Sequence, residues 1–414
     1  MRPQRAPSPR QEAPVSTKKY LIIQTLCWSV ATLHAAVVAA DEPAPVPVVA
    51  FQEGIEFNDP GRNYQVRLRF RSQNWAVFRT TDLDSADLAS ITTQPRRLRL
   101  RFNGWALSPQ WFYSIQLGFS RADMDWDATG VPNVIRDAIA GYRFSPDLQV
   151  FFGQTKLPGN RQRVISSGDQ QFADRSLANR DYTLDRDFGL QAYGTVRPAG
   201  MVVHLKLAIS GGEGRNPVAG TSGLAYTARA ELLPMGAFSN GGDYFEGDLL
   251  REPEPKLALG GGINLNRGAL RTQGTLGVFF KDPRNLQTIF ADGVFKWRGL
   301  AVSAEYLQRD CDDPVVKLVS DKTGYVVVGH AWNAQASYLW TDRLETALRA
   351  TLSSPSDQVA AHVARAQQYG LGISYYLLRH RVKLQADVTQ EVLTQPGKDR
   401  TGAWIARLNT EFGI

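Results

Sequence analysis

From residue 64 onward the chain alternates apolar and polar positions with period two. Tyr64, Val66, Leu68 and Phe70 interleave with Gln65, Arg67, Arg69 and Arg71, which predicts a strand with one apolar and one charged face. Trp75 and Val77 fall on the other parity, so a bulge is expected over residues 72–74. Leu98, Leu100 and Phe102 alternate with Arg97, Arg99 and Arg101 in the next strand. Beyond a turn at 107–110, Trp111, Tyr113, Ile115, Leu117 and Phe119 share one parity. Ala138, Ala140, Tyr142 and Phe144 continue the theme, as do Leu148, Val150 and Phe152 after the Ser145-Pro146-Asp147 turn. These are hairpins in series.

Further strands are expected over 188–196, 203–209, 224–232 and 257–265, with the polar stretch 236–255 between the last two. Regular hairpins then turn at Arg298, Asp342 and Arg379 and end with 404–414. Short turns on one side alternate with longer polar loops on the other, as in outer-membrane barrels. The count reaches seventeen candidates, whereas bacterial single-chain barrels have an even number. The weakest is 271–280, where Gly274 and Gly277 interrupt and Leu276, Val278, Phe279 and Phe280 put apolar groups on both faces. Reading 267–286 as one external loop leaves an all-β, 16-stranded antiparallel transmembrane barrel with both termini in the periplasm.

Residues 156–186 break the alternation with a segment too long for an ordinary turn. It carries six basic residues (Lys156, Arg161, Arg163, Arg175, Arg180, Arg186) against four acids (Asp169, Asp174, Asp181, Asp185) and no hydrophobic period. Connections of that length are usually functional or disordered. The expectation is a constriction loop folded into the pore.

Composition changes the picture mainly at the start of the chain. Lys18 and Lys19 precede an apolar run over 20–36, and Val38-Ala39-Ala40 offers a cleavage site. Residues 1–40 therefore read as a secretory signal peptide cut near Ala40. The Pro-rich 41–61 reads as a periplasmic linker, and 62–414 as the barrel. Cleavage removes five basic residues and one acid, which lowers the formal net charge from +7 to +3. Electrostatic function must then rest on where charges lie. Only Cys311 remains of two cysteines, so no intramolecular disulfide or cysteine metal cluster is available.

A soluble barrel points its apolar face inward, and a membrane barrel points it outward. The export signal, the loop asymmetry and aromatics near turns (Trp111, Tyr142, Trp297, Trp340, Trp404) favour the membrane. Arg67, Arg69, Arg71, Arg97, Arg99 and Arg101 then face the lumen as a basic ladder. Crowded like charges repel unless anions or loop carboxylates visit them. A guanidinium fork suits a phosphate-like ion; the alternative is that these arginines pair with carboxylates of the inward loop and only line a watery wall. Asp123, Asp125 and Asp127 imitate the start of a calcium loop, but Ala128 replaces its glycine and no glutamate closes it; a solvated acidic loop is the expectation. Glu305, Glu345 and Asp387 are expected to balance lumen arginines. No metal-ligand histidine pair, G-x-S-x-G or H-E-x-x-H motif occurs. No cofactor, enzymatic activity or nucleic-acid partner is expected.

Gly153-Gln154-Thr155-Lys156-Leu157-Pro158, Phe172-Ala173-Asp174-Arg175-Ser176 and Arg186-Asp187-Phe188-Gly189 resemble the phosphate-selective porin O/P family around its constriction loop. So do Tyr244-Phe245-Glu246-Gly247-Asp248-Leu249, Lys296-Trp297-Arg298-Gly299-Leu300 and Tyr369-Gly370-Leu371-Gly372. The resemblance runs from about Arg62 to Ile414. Gly159-Asn160 stands where many members carry Phe-Ser, and Ile414 where an aromatic residue is common. The resemblance implies a homotrimeric outer-membrane porin whose third external loop enters the pore. It places the constriction at Lys156, Arg161, Arg163 and Arg175, with small anions such as phosphate as permeants and outer-membrane lipid around the barrel. On this reading Asp169, Asp174, Asp181 and Asp185 tie the loop to the ladder. The rivals are a general or organic-acid porin, an outer-membrane enzyme or adhesin on the same scaffold, and a soluble periplasmic β protein.

Overall fold

Along residues 329–339 the buried side chains include Asn333, Gln335 and Ser337, with Ala331 and Leu339, and the exposed ones include Trp332 and Tyr338. The same inversion recurs over 365–378, where Gln368 and Ser374 are buried and Tyr369, Leu371, Ile373 and Tyr375 are exposed. A water-soluble protein would pay heavily for this arrangement, because buried polar groups must be paired and apolar ones gain by leaving water. Lipid outside and a polar lumen inside make it favourable.

The computed structural model describes residues 48–414 except 60, 125, 127–129, 218–219 and 221–222. The signal peptide expected at 1–40, the first part of the linker, and Asp125 and Asp127 lie outside the described residues. β1 (Val48–Gln52) and β2 (Gly54–Asn58) form a hairpin laid on the start of β3 (Tyr64–Thr80). The barrel continues through β4 (Leu88–Ala106), β5 (Ser108–Gly118), β6 (Ile135–Ser145), β7 (Leu148–Lys156), β8 (Arg186–Val196), β9 (Val202–Ser210), β10 (Ala225–Leu233), β11 (Lys256–Arg271), β12 (Phe279–Trp297) and β13 (Leu300–Cys311). A small ribbon, β14 (Val315–Lys317) and β15 (Thr323–Tyr325), precedes β16 (Gly329–Leu339), β17 (Leu344–Pro355), β18 (Arg365–Leu378), β19 (Val382–Thr394) and β20 (Thr401–Gly413). Sequential antiparallel pairing, closed by β20 on β3, makes a barrel of sixteen strands.

The expected bulge is present, with a register shift between Gln73 and Asn74. Two expectations need correction. The linker drawn to residue 61 contains the β1–β2 hairpin, held because Glu56 receives Arg67 at 2.8 and 2.5 Å. Residues 267–286 are not one loop: β11 and β12 run on to a short turn at 272–278. Apolar groups occupy both faces there because this tip packs against the next loop, in a cluster of Ala269, Phe280, Leu286, Cys311, Val316, Val326 and Val328.

One connection also breaks the short-turn pattern. Residues 234–255, between β10 and β11, are on the same side as the tight turns at Arg298 and Arg379, yet they are long, and 242–252 contain no exposed residue. They fold into the lumen.

Candidate functional site

The loop 157–185 crosses the barrel interior. It begins at Leu157, carries α1 (Arg161–Val164) and α2 (Leu177–Tyr182), and returns to the wall at β8. Ser176 caps α2 by accepting the Asn179 N–H at 3.2 Å. Leu157, Ala178, Tyr182 and Leu184 pack on Ala208, Phe290, Leu307 and Ala331 of β9, β12, β13 and β16. Each large side chain so buried stabilises by roughly 1.5–3 kcal/mol. Part of the lumen beside β9, β12, β13 and β16 is thereby filled with an apolar core.

An irregular segment buried inside a barrel must have its backbone polar groups paired. Charged wall residues do this for the loop. The carbonyl of Gly159 accepts from Arg229, that of Asp174 from Arg349, and those of Asp181 and Thr183 from Arg309, at 2.9–3.1 Å. Lys383 donates to the Gln170 carbonyl at 2.5 Å, and Gln385 to that of Gln171 at 2.7 Å. Conversely, the N–H groups of Gln162 and Ala173 donate to Glu305 at 2.6 Å and Asp387 at 3.2 Å. Phe172 sits over Gly370 and Gly372, where an added Cβ would come within 3.1 Å of its ring, and Arg349 lies 3.9 Å from its centroid. Glu305 and Glu345 thus accept from Gln162 and Gln171 rather than balancing arginines; only Asp387 of the three pairs with one, Arg407 at 2.8 Å.

The inward turn 234–255 meets this loop from the other end. Glu246 N–H donates to Asp169 O at 2.8 Å, and its carboxylate accepts Gln171 N–H at 2.8 Å and Gln162 Nε2 at 3.3 Å. Tyr244 joins a buried knot with Lys206, Glu231, Arg229 and Asp292. The polar stretch 236–255 was legible in the sequence, but its inward course was not.

What stays open is a cavity of about 1040 Å³ between the loop and β3–β8. Its described lining has fourteen lysines and arginines against six carboxylates. Across the β3–β4 pair Arg69 stands opposite Arg101 and Arg71 opposite Arg99. Gly168 of the loop lies against Arg71, where a Cβ would fall 3.1 Å from its Nε.

The ladder residues differ in their partners. Arg67 pairs with Glu56 at the turn-side end and does not line the cavity. Arg69 pairs with Glu53 at 2.6 Å, and Arg71 with Glu411. Arg97 meets Gln73 and Asp174, the latter at 3.3 Å, while Arg99 forks onto both oxygens of Asp123 at 2.6 Å. Arg101 reaches only Ser114, at 3.2 Å, and has no carboxylate in ion-pairing range among the described residues. Asp123 is buried, not solvated, because Arg136 also reaches it at 3.1 Å.

The loop cations divide likewise. Arg161 does not line the passage: it is buried on the opposite wall, bonded to Asp292 at 2.9 Å and beside Glu231 and Asp243. Arg163 lines the cavity but is tied to Asp185. Arg175 and Lys156 line it without a carboxylate in ion-pairing range among the described residues. Arg175 donates to the carbonyls of Gln162 and Ile165 at 2.9 and 3.0 Å, and Lys156 to those of Val164 and Ile165 at 3.2 and 3.1 Å.

Of the loop acids only Asp174 reaches the ladder. Asp185 pairs inside the segment with Arg163 and Arg186, and Asp181 with Arg180 at 2.7 Å and with the Ser353 hydroxyl at 2.8 Å. Asp169 makes no carboxylate ion pair among the described residues; burial pushes its carboxyl up. The loop is therefore not tied to the ladder by four aspartates. It leans on the far wall, whose Arg229, Arg309, Arg349 and Lys383 gave no sequence signal beyond their parity.

Electrostatics of the loops reinforce the contrast. Burial alone would raise Asp123, Asp174 and Asp185, but neighbouring arginines hold all three well below the usual carboxylate range. At Arg175, burial and then the charges of Arg163 and Arg97 pull the guanidinium well below its ordinary value. Arginine stays protonated, so this corner is short of negative charge and would be relieved by a visiting anion.

The family model of phosphate-selective porin O and P matches residues 66–243. No curated protein sequence matches the chain. Among solved structures the chain is similar to the outer membrane channel DcaP of Acinetobacter baumannii, with 11% identity, 85% of this chain and 98% of that chain covered, and a TM-score of 0.54. It is similar also to the anion-selective porin from Comamonas acidovorans (13% identity, 84% and 100% covered, TM-score 0.50) and to the trimer form of OmpT of Vibrio cholerae (12%, 85% and 100%, 0.50). The resemblance read from the motifs thus holds over residues 66–243, which carry the ladder, the inward loop and the start of the inward turn, and the fold shared with these structures is the sixteen-stranded antiparallel barrel.

Proposed function

We propose that the chain is an outer-membrane porin, a passive, anion-preferring channel that admits phosphate or related oxyanions. The observation that carries the reading is the lining of the cavity. Cations outnumber carboxylates more than two to one, and Lys156, Arg175 and Arg101 lack a carboxylate partner among the described residues. A solute-sized passage with such walls focuses an anion-attracting field. Carboxylates placed along the same wall keep binding weak enough for release, as conduction requires. A cleavable signal peptide at 1–40 and homotrimeric assembly complete the proposal; the likeness to a porin described as anion-selective and to a trimer form agrees with it.

The test is the reversal potential of the purified protein in a planar bilayer under a KCl gradient. Anion preference is the expected result, and cation preference overturns the proposal. Block of chloride current by phosphate then separates an oxyanion channel from a general or organic-acid porin, which would show no such block.

A further inference from the structure

Lys296 is a fully buried ammonium with no carboxylate in ion-pairing range among the described residues. It stands on β12, on the far wall from the ladder. Its Nζ donates to the carbonyls of Gly242 at 2.6 Å and Phe245 at 2.8 Å and to that of Gly247, and it lies 4.1 Å from the centre of the Phe245 ring. The inward turn thus wraps this one charge with three carbonyl oxygens and an aromatic face. A buried charge without such partners would be very costly. Glu246, between two of those residues, holds the backbone of the constriction loop at Asp169 and Gln171. His380 braces the same segment through a hydrogen bond of 2.9 Å to Glu246 O. A few residues along the loop, Ser167 and Gly168 touch Arg71.

We propose that Lys296 is a positioning residue for permeation: its ammonium fixes the inward turn, and through Glu246 it sets where the constriction loop stands against the arginine wall. The passage is shaped by two segments entering from opposite ends, and a charge that never meets the permeant ion locks them together. The proposal rests on the channel reading above.

Single-channel recording on Lys296→Ala, Lys296→Arg and wild type tests it, with heat-modifiable gel mobility reporting the folded barrel. In Lys296→Ala the phosphate concentration for half-block should move by about two- to thirty-fold, the range for coupling changes between linked sites, with chloride conductance altered. Lys296→Arg should restore part of it. Propylammonium, which replaces the atoms removed, should restore the Lys296→Ala channel toward wild type and leave wild type unchanged. A folded Lys296→Ala barrel with wild-type conductance and block overturns the proposal, as does altered block that propylammonium does not touch. If Lys296→Ala fails to fold, Lys296→Met removes the charge and keeps the stem. A shift in the same direction supports the proposal and no shift overturns it. Cation preference in wild type, measured in the same membranes, would sink the channel reading itself and leave the conductance change as a separate result.

Discussion

Arg71 and Arg99 face each other directly across the β3–β4 pair, and both guanidiniums reach the hydroxyl of Ser167, at 2.7 and 3.2 Å. Like charges placed opposite one another in a sheet are destabilising. This pair persists because Glu411 and Asp123 take one side of each guanidinium and the inward loop supplies the shared hydroxyl. The wall and the loop are therefore one electrostatic unit.

Replacing Arg97, Arg99 and Arg101 together by alanine should lower anion selectivity, read as a smaller reversal potential under a KCl gradient, while the barrel still shows heat-modifiable mobility. Raising the ionic strength should weaken wild-type preference too, since the Debye length shortens to about 3 Å at 1 M salt. Unchanged selectivity in the triple variant would mean that these arginines only pair with carboxylates.

Arg175→Gln and Lys156→Gln should weaken phosphate block, because these cations line the passage without a carboxylate partner among the described residues. Arg161→Gln should act differently. It leaves Asp292 and Glu231 short of a partner in a buried knot, a loss of about 3–5 kcal/mol, so the loop should loosen and open-channel noise should rise. Equal, quiet loss of block in all three variants would contradict the division of labour.

Arg309→Met should release the loop at α2, since the carbonyls of Asp181 and Thr183 lose their donor. Each unsatisfied buried group costs about 1–3 kcal/mol. Limited proteolysis within 157–185 should accelerate, whereas protease resistance equal to wild type would show that the apolar core alone suffices.

Glu213 gives a pH dependence. It lies in the loop between β9 and β10 and accepts the Leu270 N–H at 3.1 and 3.2 Å. Burial, reinforced by the nearby charge of Asp187, pushes its carboxyl up to about 7. The docked loop therefore binds more protons than a detached one, whose glutamate titrates near about 4.3. Docking should be strongest below that value and weaken as pH rises toward 7. Protease nicking of residues 211–217 should increase between pH 5 and pH 8, and Glu213→Gln should reduce the trend. A flat wild-type profile would refute it.

The barrel was legible because period-two alternation is strict wherever one face meets lipid and the other water; even the bulge near Gln73 showed as a parity switch. The β11–β12 tip was misread because its second apolar face serves a local core with Phe280 and Val316, a tertiary contact that periodicity does not encode. At the site, sequence located the basic loop and the arginine wall but assigned the loop's aspartates to that wall, and the far-side partners went unread. Arg161 bonds to Asp292 and Gln162 to Glu305, separations of 131 and 143 residues that no local pattern reveals. The segments that carried the family resemblance prove to meet in space: Phe172 on Gly370 and Gly372, Lys296 on the turn at 242–247. Their spacing along the chain gave no hint of this.

The distance in sequence between the loop and its supports has a consequence for biogenesis. Residues 157–185 precede β10–β19 in the chain, yet Arg229, Glu305, Arg309, Arg349, Lys383 and Asp387 on those strands hold them in place. The loop can take its course only once the last third of the chain has folded, because most of its clamps come from there. A chain cut short of β19 would lack both the closing strand β20 and the partners Lys383 and Asp387 that hold the loop.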